Sequence, residues 1–181
     1  MVGVATKGQL RMSFLRWALV LVPVVVLLGL ASGMISGSGD TNWYRALEKP
    51  SFQPPSYLFG IVWPILYVLM GLALVLVVNA KGSRLRGIAI ATFIAQFVAN
   101  LLWSPIFFGM NQVSFAFWWL LLTLGLAGLT TWFFWRVRTV AGVMMLPYIA
   151  WLIFAAALNF QVDQLNPDAE TLVVGNNSTQ I

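Results

Sequence analysis

The chain has 181 residues, 60% hydrophobic and only 8% charged, with a mean hydropathy of +0.87. Soluble domains average about 25% charged residues, so this much apolar surface has no interior to hide in, which excludes a soluble globular enzyme and a disordered chain. With no cysteine and no histidine, disulfides, iron–sulfur clusters, thiolate or imidazole catalysis and His ligation of zinc or haem are excluded too.

Five apolar stretches follow one another at about 15–35, 57–78, 87–108, 114–135 and 139–162. Each is near the roughly 20 residues that cross hydrocarbon. No Asp, Glu or Lys falls inside them, and Arg16 sits only at an end. The alternating segments of about 10 residues that a β-barrel needs are not visible. The expected fold is all-α, an integral membrane bundle of five transmembrane helices. A cytoplasmic extension over 1–14 precedes the membrane domain over 15–162, and a polar, disordered tail over 163–181 follows it.

The net charge of +5 is distributed unevenly. Lys7, Arg11 and Arg16 precede the first span, Lys81, Arg84 and Arg86 join the second to the third, and Arg136 and Arg138 join the fourth to the fifth. All of these fall at one side. The other side has Arg45 and Lys49, balanced by Asp40 and Glu48, and the acidic tail with Asp163, Asp168 and Glu170. The positive-inside bias places the N-terminus in the cytoplasm and the C-terminus outside. The basic residues are thus topology anchors rather than a nucleic-acid surface. The first span begins like a secretory signal, with small residues at Ala31, Ser32 and Gly33. Its apolar run exceeds the roughly 7–15 residues of such signals, which favours retention.

Loop 1, at about 36–56, is the long connection. It opens on Gly37-Ser38-Gly39, a flexible linker. Asp40 or Thr41 can cap a short helix, Trp43 and Leu47 fall four apart on one face, and Pro50 ends it. Pro54-Pro55 then forces an extended approach to the second span. Two readings stand: an interfacial turn anchored by Trp and Tyr, or a lid over something in the bundle.

The third span carries two stripes. Thr92, Gln96, Asn100 and Ser104 recur every four residues and form a polar line. Such amides avoid lipid, so they point into the bundle, either as glue between helices or as ligand contacts. Gly87, Ala91, Ala95 and Ala99 form a small-residue row that suits tight packing or a dimer interface. Counted inward from the loop-1 end, Trp63, Asn100, Trp103, Trp151, Ala155 and Asn159 share a layer within about 5–17 Å of the surface. Aromatic walls with a few amides describe a pocket for a flat, largely apolar ligand. Trp17, Trp118, Trp119, Trp132 and Trp135 read as interfacial belts. No catalytic constellation, metal cluster or intramembrane charge is present in the sequence, which disfavours ordinary catalysis and ion-coupled transport.

Trp43-Tyr44, Leu47, Lys49-Pro50, Pro54-Pro55, Trp63, Leu66-Tyr67 and Met70-Gly71 resemble the signature of the tryptophan-rich sensory protein and translocator protein family (TspO/MBR). This family was once called peripheral benzodiazepine receptors. Gln96, Asn100, Trp103, the run Pro105-Ile106-Phe107-Phe108-Gly109, Pro147-Tyr148, Trp151, Phe154-Ala155 and Leu158-Asn159 agree with it. The resemblance implies a homodimeric bundle that binds porphyrins and synthetic aromatic ligands beneath loop 1, in tetrapyrrole metabolism and stress response. It implies ligand contacts at Trp43, Phe59, Gly60, Trp63 and Gln96, and at Asn100, Trp103, Trp151, Ala155 and Asn159. No cofactor or metal is required; a porphyrin or haem precursor is the ligand. Two alternatives follow: light- and oxygen-dependent porphyrin breakdown with Trp63 and Trp151 as redox-active indoles, or small-molecule export. The family's sterol motif belongs at the end of the fifth span, where Leu158-Asn159-Phe160-Gln161-Val162-Asp163 has neither the Tyr nor the base.

Overall fold

Inside hydrocarbon no water is available to backbone groups, so an apolar run that crosses must satisfy its N–H and C=O groups internally. Each of the five runs does so as a helix. A computed structural model describes residues 7–37 and 41–172. Its long helices are α1 (Lys7–Ile35), α3 (Ser56–Val78), α4 (Arg86–Ser104), α5 (Val113–Val137) and α6 (Thr139–Leu165), with a short α2 (Asn42–Ala46) in loop 1. Among the described residues there is no strand. All five long helices are long and apolar enough to cross a membrane, so the protein is a multi-pass integral membrane protein.

The helices pack in the cyclic order α1, α3, α6, α5, α4, and α1 returns more loosely to α4. α1 is the least enclosed: 11% of its apolar window is buried, against 50% for α3. The end of the bundle away from loop 1 is solid. Met70, Ala73 and Val77 of α3, Ala89 of α4, Phe134 of α5 and Ala141 and Met145 of α6 are wholly buried there. Phe93 stacks on Phe97 and on Phe134, with centroids 5.8 and 5.7 Å apart and planes 17° and 10° from parallel. At the single-residue turn between α5 and α6, a Cβ on Gly142 would lie 2.7 Å from Trp135 Cβ. Glycine alone lets the two helices approach so closely.

Some expected boundaries shift. Helix begins at Lys7, within the extension expected over 1–14, because the polar residues before Trp17 continue the same helical path. α2 forms as the Thr41 cap predicts: Thr41 Oγ1 accepts from the Tyr44 N–H at 3.2 Å, and Trp43 and Leu47 are both buried. It stops at Ala46, ahead of Pro50, because Leu47 is already extended. Asp40 lies outside the described residues.

The third span does not end as a plain helix. Pro105 offers no N–H to the ladder, and residues Pro105–Gly109 form a π-helical turn closed by Met110 N–H donating to Pro105 C=O at 2.9 Å. The tail expected to be disordered from 163 is ordered to 172. α6 runs to Leu165, a 3₁₀ turn forms at Ala169–Thr171, and Ala169 is buried. Asn166 finds backbone partners in loop 1, and Asp163 and Glu170 bond Ser114 at the start of α5, which a sequence of that composition does not announce. The remainder of that tail, 173–181, lies outside the described residues.

Candidate functional site

The loop-1 half of the bundle is hollow. Helical spacing turns Phe59, Gly60, Trp63 and Tyr67 of α3 to one side, with Asn100 and Trp103 of α4, Phe107 of the π-helical turn, and Trp151, Ala155 and Asn159 of α6. Together with Gly29, Ser32 and Gly33 of α1 they enclose a cavity of about 340 Å³. That is within the range of roughly 300–1,000 Å³ typical of small-molecule sites. Open space remains because Gly60 carries no side chain and would have none to meet within 4 Å, and Ala155 is small. Among the described residues, no Lys, Arg, Asp or Glu lines the cavity.

Its wall is an aromatic cage. Trp63 stacks on Tyr67 at 5.4 Å and meets Trp151 edge-on at 6.4 Å, while Phe59 meets Trp151 at 5.6 Å. Offset and edge-on pairs are the arrangements ring quadrupoles favour. The amides divide into two kinds. Asn100 Oδ1 accepts from the Tyr67 hydroxyl at 3.3 Å. Asn159 is committed to structure: its Oδ1 accepts from Trp103 Nε1 at 3.3 Å and its Nδ2 donates to Val113 C=O at 3.0 Å. By contrast, the Trp151 Nε1–H and the Ser104 hydroxyl are buried at the cavity wall with no hydrogen-bond partner in the protein. A buried unpaired donor costs about 1–3 kcal/mol; both atoms lie beneath the cavity surface, so a ligand's acceptor reaches them only where the wall shifts.

The polar stripe of α4 faces inward, as its periodicity requires, but it reaches the cavity only at Asn100 and Ser104. Gln96 lies a turn deeper, fully buried, with Nε2 4.0 Å from Met70 Sδ. It does not line the cavity. Trp43 is likewise placed outside the cavity. Its Nε1 donates to Ala169 C=O at 2.8 Å and its ring meets Phe107 edge-on at 5.8 Å. The roof residues that do face the space are its neighbour Tyr44 and Gln53, joined by Gln53 Nε2 donating to Tyr44 Oη at 3.2 Å. Burial pushes the Tyr44 phenol above its ordinary range, partly opposed by that hydrogen bond. Lys49 Nζ fastens the roof backbone, donating to Tyr44 and Leu47 carbonyls at 2.9 and 3.1 Å; burial lowers its pKa.

The roof is also tied to the tail. Asn166 Oδ1 accepts from Glu48 N–H at 2.7 Å and its Nδ2 donates to Glu48 C=O at 2.8 Å. Sequence reasoning missed Tyr44, Gln53, Tyr67 and the α1 wall. For Tyr67 a signal existed, one turn beyond Trp63. Ser32 and Gly33 were legible only as small residues; in the fold Ser32 Oγ donates to Leu101 C=O and the site needs their slimness. Among the tryptophans read as belts, Trp17, Trp118, Trp132 and Trp135 are exposed. Trp119 is not one of them, because its Nε1 donates to Ala99 C=O at 2.8 Å and binds α5 to α4. That contact also covers Ala99, leaving Gly87, Ala91 and Ala95 of the small-residue row exposed.

The sequence pattern of the TspO/MBR family matches residues 19–165, which include every helix that lines the cavity. The chain belongs to the TspO/MBR family. Protein CrtK of Rhodobacter capsulatus is 36% identical over 145 residues, 80% of this chain and 89% of that protein. The tryptophan-rich sensory protein of Cereibacter sphaeroides is 39% identical over 125 residues, covering 69% and 77% of the two chains. The human translocator protein is 37% identical over 133 residues, or 72% and 78%. Among the described residues of this TspO/MBR protein, no group of His, Cys, Asp or Glu could hold a metal ion.

Proposed function

We propose that this protein is a membrane receptor or translocator that binds a porphyrin or haem precursor in the cavity beneath loop 1. The observation that carries this reading is an uncharged aromatic cage, Trp63, Trp151, Phe59 and Tyr67, with the Asn100 amide at its wall. A flat macrocycle stacks on the indoles, and its polar edge meets the Asn100 amide. Because no cation among the described residues lines the cage, carboxylate substituents stay at the loop-1 mouth. The names sensory protein and translocator protein, carried by relatives, are consistent with ligand reception. In this reading the basic end faces the cytoplasm, and the exposed Gly87, Ala91 and Ala95 join two copies in a homodimer.

Titrating the purified protein with protoporphyrin, haem and a linear tetrapyrrole, followed by tryptophan quenching, tests the site. Asn100→Leu removes the Tyr67 partner and a cavity amide and should weaken binding about 5- to 150-fold. Parent-like binding by folded Asn100→Leu and Trp63→Phe variants would place the ligand elsewhere. Ala95→Leu should lower the dimer fraction in detergent; an unchanged fraction would move the interface off this row. A second reading rests on the 6.4 Å approach of Trp63 to Trp151, two indoles placed to exchange electrons with an excited macrocycle. Illumination of the porphyrin complex under oxygen decides it: product formation that Trp151→Phe abolishes supports breakdown, and vesicle uptake in the dark supports transport.

A further inference from the structure

At the end of the bundle opposite loop 1, a second recess of about 560 Å³ lies between the start of α1 and the turn that follows α3. Gln9, Ser13 and Arg16 of α1 and Lys81 of the turn form its polar part, and Met12, Trp17 and Val20 its apolar wall. The α1 members recur at three- and four-residue intervals, so they share one face of the helix. That face spans about 16 Å from Gln9 to Val20. Arg16 is the last charged residue before the apolar run, so the recess straddles the boundary between headgroups and hydrocarbon.

The recess is built by the fold rather than left by loose chain. Ser13 Oγ donates to Asn79 Oδ1 at 2.7 Å, and Asn79 Nδ2 in turn donates to Val75 C=O at 2.9 Å. This ties α1 to the end of α3. Lys81 N–H donates to Asn79 C=O at 2.9 Å, which fixes the backbone of the turn, and Lys81 lines the recess together with Arg16. Among the described residues, no carboxylate lines the recess. The five Asp and Glu of the chain, at 40, 48, 163, 168 and 170, all belong to loop 1 or the tail at the other end.

We propose that this recess is a binding site for a membrane phospholipid with an anionic headgroup. Its phosphate is held by Arg16 and Lys81, its glycerol region by Ser13 and Gln9, and the start of an acyl chain lies along Trp17 and Val20. Charge complementarity selects the anion, and the apolar wall selects a lipid over a free phosphate. Guanidinium and ammonium differ usefully here, since Arg16 can bond two phosphate oxygens at once while Lys81 acts as a point charge. The site is independent of the cavity ligand.

Native mass spectrometry of the full-length protein, with phosphatidylglycerol or phosphatidylcholine of the same chains added, tests it. The wild type should retain one phosphatidylglycerol selectively. Arg16→Gln with Lys81→Gln should weaken that retention about 30-fold, roughly fivefold for each basic residue near the surface. Arg136→Gln with Arg138→Gln removes equal charge from the opposite corner and should change it less than about twofold. Lys81→Gln alone, in an exposed turn, gives the intermediate value and guards against misfolding of the double variant. Equal loss in both doubles would reduce the effect to general surface charge and overturn the site. Equal retention of phosphatidylcholine would overturn it as well, and so would full competition by soluble glycerol phosphate.

Discussion

The two halves of this bundle use the same five helices to opposite ends. Away from loop 1, aliphatic side chains and the Phe93 stack fill the space between α3, α4, α5 and α6, and the recess at that end lies outside this core, against α1. Beneath loop 1 the same helices present glycine, alanine and serine between large rings, and the rings brace one another around a void. Helix glycines thus serve two purposes here. Gly142 lets backbones touch, whereas Gly60 keeps a wall bare. A hollow of this kind persists because the solid half anchors the helices that border it.

The largest expected effect breaks the solid half. Phe134→Ala deletes the ring stacked on Phe93 in a core with no free volume and should cost about 3–5 kcal/mol, seen as a lower midpoint in thermal unfolding in detergent. Ala155→Leu, one helix away but facing the void, should leave that midpoint nearly unchanged and abolish porphyrin binding by filling the cavity. If Ala155→Leu lowers the midpoint as far as Phe134→Ala does, the two halves are packed alike. Next in size, Gly29→Ala sharpens the border between them. A Cβ there falls 2.3–2.6 Å from the Tyr67 ring, so α1 or the ring must move. Overpacking should cost about 1–3 kcal/mol, with the cavity affinity falling in parallel because Tyr67 is displaced from Asn100. A smaller effect is expected at the roof. Asn166→Ala removes both bonds to Glu48 and should cost about 0.5–1.5 kcal/mol. Amide exchange at Glu48 and its neighbours in loop 1 should quicken while the α3 core stays protected; no change would leave the Trp43–Ala169 bond as the tail's hold on the roof.

The five spans were legible because a membrane demands about 20 apolar residues per crossing, and α2 because Thr41 caps a turn with Trp43 and Leu47 on one face. What was not legible is azimuth and long-range polar pairing. Trp118 and Trp119 are adjacent and chemically identical, yet one faces out and the other bonds Ala99; a helix apolar on all sides gives no phase to tell them apart. Gln96 and Asn100 share a stripe, and only the depth at which the solid core begins decides which one borders the void. The hold of Asn166 on Glu48 joins residues 118 apart through backbone atoms, and backbone partners leave no trace in side-chain pattern.

The bond from the Trp43 indole to Ala169 has a consequence for the order of assembly. Donor and acceptor are separated by 126 residues. At roughly 5–20 residues synthesised per second, about 6–25 s pass between the appearance of loop 1 and that of its fastening. Through that interval the first helices are already in the membrane while the space under loop 1 has neither its α6 wall nor a secured roof. The chamber is therefore the last part of the molecule to be finished, and a newly made copy becomes competent to hold a ligand only when its closing residues emerge.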